Sequence, residues 1–333
     1  MNRTFTFIIF LIALATYAQN NVSEFAENTI EDVTRFGKAY ANPAAKGVMY
    51  NLNNGWYNSA KVKDVLSFEI SVVGNVTFIK RDESKFTLNT LNYNNVRFED
   101  GSKSKEVPTI FGENEADIVA LIDYNLNGEN EPIAIELPNG IDDNVDYAPN
   151  VFLQASIGVF KATEVKVRFA PKIVYGRVEK QLYGFGLQHE FSKWFSKEEA
   201  FPVYMSALVG YTKFNGFYDV KESGEQDENQ GIDTRINTWN FAVIGSTKFE
   251  KLNFYAGLAY LTAKADTKFD GVYQLEEEYE AFQDLINNFS VENNNSGISG
   301  TLGANYKLPN IVFNLSYNIQ EFSNVTFGVG YFL

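Results

Sequence analysis

The sequence predicts an all-β chain: a transmembrane antiparallel β-barrel of about 10–12 strands, with an N-terminal plug segment and long outer loops. Three observations predict it. Residues 296–333 split into two populations when read at every second position. Ile311, Phe313, Leu315, Tyr317 and Ile319 alternate with Asn310, Val312, Asn314, Ser316 and Asn318, and Val325, Phe327, Val329, Tyr331 and Leu333 oppose Asn324, Thr326, Gly328 and Gly330. A period of two marks strands with unlike faces. Second, the connections between such runs alternate between short and long, the asymmetry of barrels with tight turns on one side and loops on the other. Third, the composition is 15% aromatic, from 29 Phe, 19 Tyr and 3 Trp, which suits two interfacial aromatic belts.

The elements follow in order. Residues 1–18 read as a secretory signal peptide: Arg3 gives the charge, Phe5 to Ala15 the apolar stretch, and Thr16-Tyr17-Ala18 a small-residue cleavage site. The apolar run is shorter than the roughly 20 residues a spanning helix needs. Residues 19–63 form an N-terminal helix and plug. Ile30, Val33, Phe36 and Tyr40 recur at helical spacing, predicting a helix over 28–40. The turn Ala41-Asn42-Pro43-Ala44 should stop it, because proline lacks a donor and disfavours helix before it. Asn51 to Lys61 then reads as irregular and turn-rich.

Residues 64–333 form the barrel. Its first strand puts Leu66, Phe68, Ile70, Val72, Val76 and Phe78 on one face and Ser67, Glu69, Ser71, Asn75 and Thr77 on the other. An insert over 80–149 carries a hairpin (Lys85 to Thr90, Asn95 to Phe98). Strands resume at 151–160, 163–174, 181–191, 203–214, 234–249 and 252–264 and run into the last three. They number ten, or twelve if the hairpin also crosses. Two further long loops lie at 215–233 and 265–295. In the second, Leu275, Tyr279, Phe282, Ile286 and Phe289 predict an amphipathic helix over 272–289.

Composition narrows the partners. The net charge of −14 argues against nucleic acid, whose phosphates want Lys and Arg. With no Cys, the chain holds together by packing and hydrogen bonds rather than disulfides. The expected surroundings are outer-membrane lipid, with the barrel-assembly machinery as the inserting partner and the cell outer membrane as the location.

Four groups of residues are candidates for chemistry. Alternation turns Glu164, Lys166, Arg168, Gln188 and Glu190 inward as a lumenal charge cluster, either a polar constriction or a network that stiffens a narrow barrel. Asn42, Pro43, Trp56, Tyr57, Asn58 and Lys61 mark the plug. His189, the single histidine, falls on the apolar face near Trp194, and Ser192 on the opposite one, which is no nucleophile–base pair. Asp123, Asn125 and Asn127 resemble the opening of a calcium loop, but Ala134 stands where a bidentate Glu belongs. No cofactor is expected.

Several stretches together resemble a domain-of-unknown-function family of Gram-negative outer-membrane barrels. They are Ala39-Tyr40, Lys46-Gly47, Asn53 to Lys61, Pro108 to Gly112, Lys161-Ala162-Thr163-Glu164 with Arg168, and Gly184 to Glu190. Ala162 stands where that pattern has glycine. The turn Asn42-Pro43-Ala44 ahead of Trp56 is also similar to the long-chain fatty-acid outer-membrane transporter superfamily, which implies a plugged barrel admitting apolar molecules. The leading expectation is therefore a passive channel for a small hydrophobic solute. A non-transporting structural or partner-binding barrel competes with it, and a membrane-embedded hydrolase built on His189 comes third. The chain is not expected to be an enzyme.

Overall fold

A computed structural model describes residues 22–112, 118–126, 129–140, 147–176, 178–194, 202–219, 231–270 and 290–332. The expected signal peptide over 1–18 and the expected amphipathic helix over 272–289 lie outside them. The chain opens with one long helix, α1 (Val22–Asn53), and then enters strand β1 (Phe68–Phe78). The insert after β1 folds as a module of short strands, β2 (Lys85–Asn89), β3 (Val96–Phe98), β4 (Ser104–Pro108), β5 (Val119–Leu126) and β6 (Glu129–Glu136). Nine long strands follow: β7 (Tyr147–Phe160), β8 (Thr163–Tyr175), β9 (Val178–Glu190), β10 (Val203–Asp219), β11 (Gly231–Thr247), β12 (Leu252–Asp270), β13 (Ser290–Lys307), β14 (Ile311–Ile319) and β15 (Asn324–Phe332).

β1 and β7–β15 form one closed antiparallel barrel of ten strands. β1 is the closing strand, pairing with β15 on one edge (Val72 opposite Val329) and β7 on the other (Val72 opposite Leu153). Closure leaves no row of unpaired N–H and C=O groups, which a bilayer core would not tolerate. The hairpin that could have raised the count to twelve stays out of the wall. β2 pairs with β4, and β5 with β3 on one edge and β6 on the other, in two small sheets of their own.

The alternation sorts the faces as the sequence implied. Val72, Leu153, Val167, Phe169, Phe185, Val243, Leu258, Leu315 and Phe327 are exposed around the outside, while Asn75, Gln154, Glu164, Arg168, Gln188, Asn314 and Thr326 are buried inside. A continuous apolar belt of this kind is far larger than the few hundred Å² a soluble monomer exposes. Exposed Phe160, Trp194 and Phe249 rim the end with short turns. One of those turns contains Ala162 at φ 66°, in the left-handed region. That explains why glycine is the natural residue there.

The interior is not uniform. Strands β1, β7, β8, β14 and β15 turn carboxylates, amides and hydroxyls inward. β11 and β12 turn in Ile236, Ala242, Ile244, Ala259, Leu261, Ala263 and Ala265. The C-terminal half of α1 packs with this apolar wall in one buried cluster that includes Ala45, Met49, Tyr50 and Leu52. The N-terminal half belongs to a second cluster, in which Val33 and Phe36 meet Leu88, Phe98, Val107, Ile122, Ile135 and Leu137 of the module.

One expectation fails here. The helix does not stop at Ala41-Asn42-Pro43-Ala44; it runs through Pro43 to Asn53. An interior proline costs a helix about 3 kcal/mol, yet two buried clusters hold the helix from either side of it. The Tyr40 carbonyl, in the turn that Pro43 disturbs, accepts from Ile110 N–H of the module at 3.1 Å. Among the described residues no helix is long and apolar enough to cross a membrane, which says nothing of a crossing by strands.

Candidate functional site: the lumenal seat of residues 45–63

Gly55, at φ 77°, ends the helix in the left-handed conformation that commonly follows a helix C-terminus. The last helical carbonyls have no partners within the helix, and each of the final five finds one elsewhere. Asn53 Nδ2 donates to Met49 O at 2.9 Å and Asn54 Nδ2 to Tyr50 O at 2.7 Å. The barrel wall satisfies the other three. Asn75 Nδ2 of β1 donates to Asn51 O at 3.2 Å, Arg168 Nη1 of β8 to Leu52 O at 2.7 Å, and Asn240 Nδ2 of β11 to Asn53 O at 2.8 Å.

Beyond the helix the wall keeps hold of the backbone. Gln154 Nε2 donates to Gly55 O at 3.2 Å, Asn305 Nδ2 to Asn58 O, and Gln188 Nε2 to Ser59 O at 2.9 Å. The amides are bound as well: Ala60 N–H donates to Ser246 Oγ at 3.0 Å, Val62 N–H to Glu190 Oε2 at 3.1 Å and Lys63 N–H to Glu164 Oε2 at 2.9 Å. Six strands of the wall bond the main chain at nine of the thirteen residues 51–63.

Side chains fix the register. Trp56 is fully buried against β9 and β10 at two glycines; a methyl group at Gly186 would lie 2.8 Å from Trp56 Cζ3, and one at Gly210 2.6 Å from Cε2. Tyr57 fills a similar notch at Gly257 and donates its hydroxyl to Thr301 Oγ1 at 2.9 Å. Arg168 lies with its guanidinium carbon 3.5 Å from the Trp56 ring centroid and 4.4 Å from that of Phe152. Among the described residues no carboxylate pairs with it. Its charge is met instead by two ring faces, the Gln154 amide oxygen at 2.9 Å and the negative end of the α1 dipole.

Below Arg168 the remaining charges pair. Lys63 Nζ lies 3.1 Å from Glu69 Oε2 and 3.5 Å from Glu164 Oε2, and Lys166 is ion-paired to Glu164. At the opposite end, Lys46 Nζ bonds Glu321 Oε1 at 2.8 Å, and Tyr50 OH donates to Glu321 Oε2 at 3.3 Å. Burial opposes the charge of Glu321, but the bond and charge of Lys46 outweigh it and hold its carboxyl below the usual carboxylate range. In the module, burial pushes the Tyr40 phenol up to about 12.

All five members of the predicted charge cluster therefore face the lumen, and all are at most 3% exposed. Trp56 and Tyr57 lie buried in it and Asn58 half-buried; Asn42 and Pro43 sit in mid-helix, and Lys61 is exposed at the short-turn end. His189 bonds Thr163 Oγ1 at 2.8 Å and lies with its ring tilted against Trp194, centroids 5.2 Å apart, whereas Ser192 donates to Glu190 at 2.9 Å, so the two are not brought together. Asp123 and Asn125 do not occupy a loop. They lie on β5, paired opposite Pro132 and Asn130; Asn127 lies outside the described residues. Among the described residues no three His, Cys, Asp or Glu are grouped to hold a metal.

A family model described as a family of unknown function, DUF6588, matches residues 1–333, the whole chain. The chain belongs to DUF6588. No curated protein matches it. Among solved structures, this DUF6588 barrel is similar to the outer-membrane protease OmpT from Escherichia coli (8% identity, 83% of this chain and 100% of that one, TM-score 0.35). It is also similar to the attachment invasion locus protein Ail of Yersinia pestis (10%, 81% and 100%, 0.28) and to the translocator domain of autotransporter NalP from Neisseria meningitidis (12%, 91% and 99%, 0.26). Scores this low carry no argument, and the barrel assignment rests on the closed ladder itself.

Sequence reasoning missed most of the DUF6588 seat: it places Asn75 only on the polar face of the first strand and does not single out Gln154, Asn240, Ser246 or Asn305. The usable signal was glycine at inward positions of β9, β10 and β12, Gly186, Gly210 and Gly257, each leaving room for Trp56 or Tyr57.

Proposed function

We propose that this chain is an outer-membrane β-barrel sealed at rest by its own N-terminal plug, with the short turns in the periplasm and the module displayed outside. It works as a non-transporting, partner-binding barrel rather than as an open pore. The observation that carries this reading is the run of wall-to-backbone hydrogen bonds along residues 51–63. The void left beside them, lined by Tyr57, Lys63, Glu69, Gln154 and Asn314, is about 20 Å³, on the scale of a single water. A ten-strand barrel is narrow to begin with, and a filled one offers no route.

One observation favours the passive channel for small hydrophobic compounds as a second reading. Where α1 leans, the wall is Ile236, Leu261, Ala259, Ala263 and Ala265. A shift of the helix would uncover an apolar track there, with outer-membrane lipid at the barrel's outer face.

Uptake of an apolar dye into liposomes separates the two. The purified barrel should leave uptake at the level of empty liposomes. Dye entry that depends on the protein and vanishes when residues 45–63 are cross-linked to the wall would establish the channel instead.

A further inference from the structure

The path of the main chain has a definite direction. Val33 and Phe36 are buried in the module, which joins β1 to β7 at the long-loop end of the barrel. Thirty residues later the chain is at the other end, where Val65 bridges to Gly158 and Leu66 N–H donates to Gly158 O at 2.8 Å, beside the 161–162 turn. Between these points it runs inside a ladder paired without a gap from Glu69–Phe332 to Thr77–Asn324 on one side of β1 and from Phe68–Ile157 to Phe78–Tyr147 on the other. There is no seam through which the segment could have entered sideways.

The chemistry of the wall matches such a passage. Asn75, Gln154, Arg168, Gln188, Asn240 and Asn305 all donate to main-chain carbonyls. Donors aimed at the main chain accept any sequence, as a lumen that conducts polypeptide must. The notches for Trp56 and Tyr57 then act as a stop, because only large aromatic side chains at this spacing fill them.

We propose that the barrel conducts its own N-terminal segment, so that the N-terminal half of α1 is carried through the lumen and emerges on the module's side of the membrane. The ligand of the lumen is thus a polypeptide main chain, and residues 45–63 are the part retained. The claim rests on the proposed orientation for which side is the cell exterior.

The chain has no cysteine, so single substitutions report cleanly. Glu31→Cys lies on an exposed position of the N-terminal half of α1, Lys103→Cys in the module and Lys251→Cys at the short-turn end, all exposed. Intact cells are treated with a membrane-impermeant maleimide. Glu31→Cys and Lys103→Cys should label on intact cells, and Lys251→Cys only after permeabilisation. Labelling of Lys103→Cys but not Glu31→Cys on intact cells would overturn the passage while leaving the orientation standing. Labelling of Lys251→Cys alone would overturn both.

Discussion

The two halves of α1 are held by different physics. Residues 33–40 are gripped by side chains: Val33 and Phe36 sink into a small apolar cluster whose other members come from the five short strands β2–β6 and Leu137 just beyond them. Residues 49–63 are gripped by their main chain, with aromatic side chains setting only the register. The first kind of contact tolerates substitution by anything apolar of similar volume. The second depends also on the wall, where Arg168, Gln154, Gln188, Asn240 and Asn305 each donate to a main-chain carbonyl of the segment. The module grip is therefore a local matter, whereas the lumenal grip decides whether the barrel is closed.

That contrast can be broken in several ways, from the largest effect down. Trp56→Ala empties a fully buried site and should weaken seating of the segment by about 4 kcal/mol, read as faster amide hydrogen exchange over 45–63 while the strands stay protected. Arg168→Met removes a charge-assisted bond to Leu52 O and a desolvated cation–π contact, a loss of about 3 kcal/mol. Arg168→Lys should restore only part of it, since an ammonium cannot span both the carbonyl and the Gln154 amide in one plane. If exchange over 45–63 is the same in Arg168→Met and in wild type, the helix C-terminus is not where the seal is set.

Phe36→Ala should cost about 3 kcal/mol as well, but within the module. Exchange should rise over 28–40 and 86–137 and stay unchanged over 51–63; a rise in both regions would mean that the halves are one cooperative unit. The smallest effect concerns Glu321. Its folded carboxyl is lowered relative to the unfolded chain, so the stabilisation is present above the ordinary carboxylate pKa and is lost as pH falls through the folded value. Acidification below about pH 4 should loosen the Lys46 tie by at most about 1 kcal/mol, measured as the pH dependence of exchange at Tyr50. Glu321→Gln should abolish that dependence.

Much of the barrel was legible because a bilayer enforces alternation strictly. Ile70, Val72 and Phe78 could be placed outside and Glu69, Asn75 and Thr77 inside from period alone, and the strands from Val203 to Phe332 follow the same rule. The helix was misjudged at Pro43 for a physical reason. Proline's local penalty is visible in sequence, whereas the long-range packing of Phe36 on one side and Met49 on the other is not. The seat was legible only in part. Arg168 and Glu164 announce themselves as charges on an inward face, and Trp56 as a large residue in a turn-rich stretch. Asn240 and Ser246 do not, because a polar side chain facing a lumen looks the same whether it meets water or a threaded main chain.

The central claim is that the N-terminal segment, held by its backbone, keeps the lumen shut. Planar-bilayer recording of the purified protein beside Trp56→Ala tests it most directly. The account predicts a silent wild type and a variant that passes current in discrete openings. A wild type that conducts steadily, at the same level as Trp56→Ala, would contradict it.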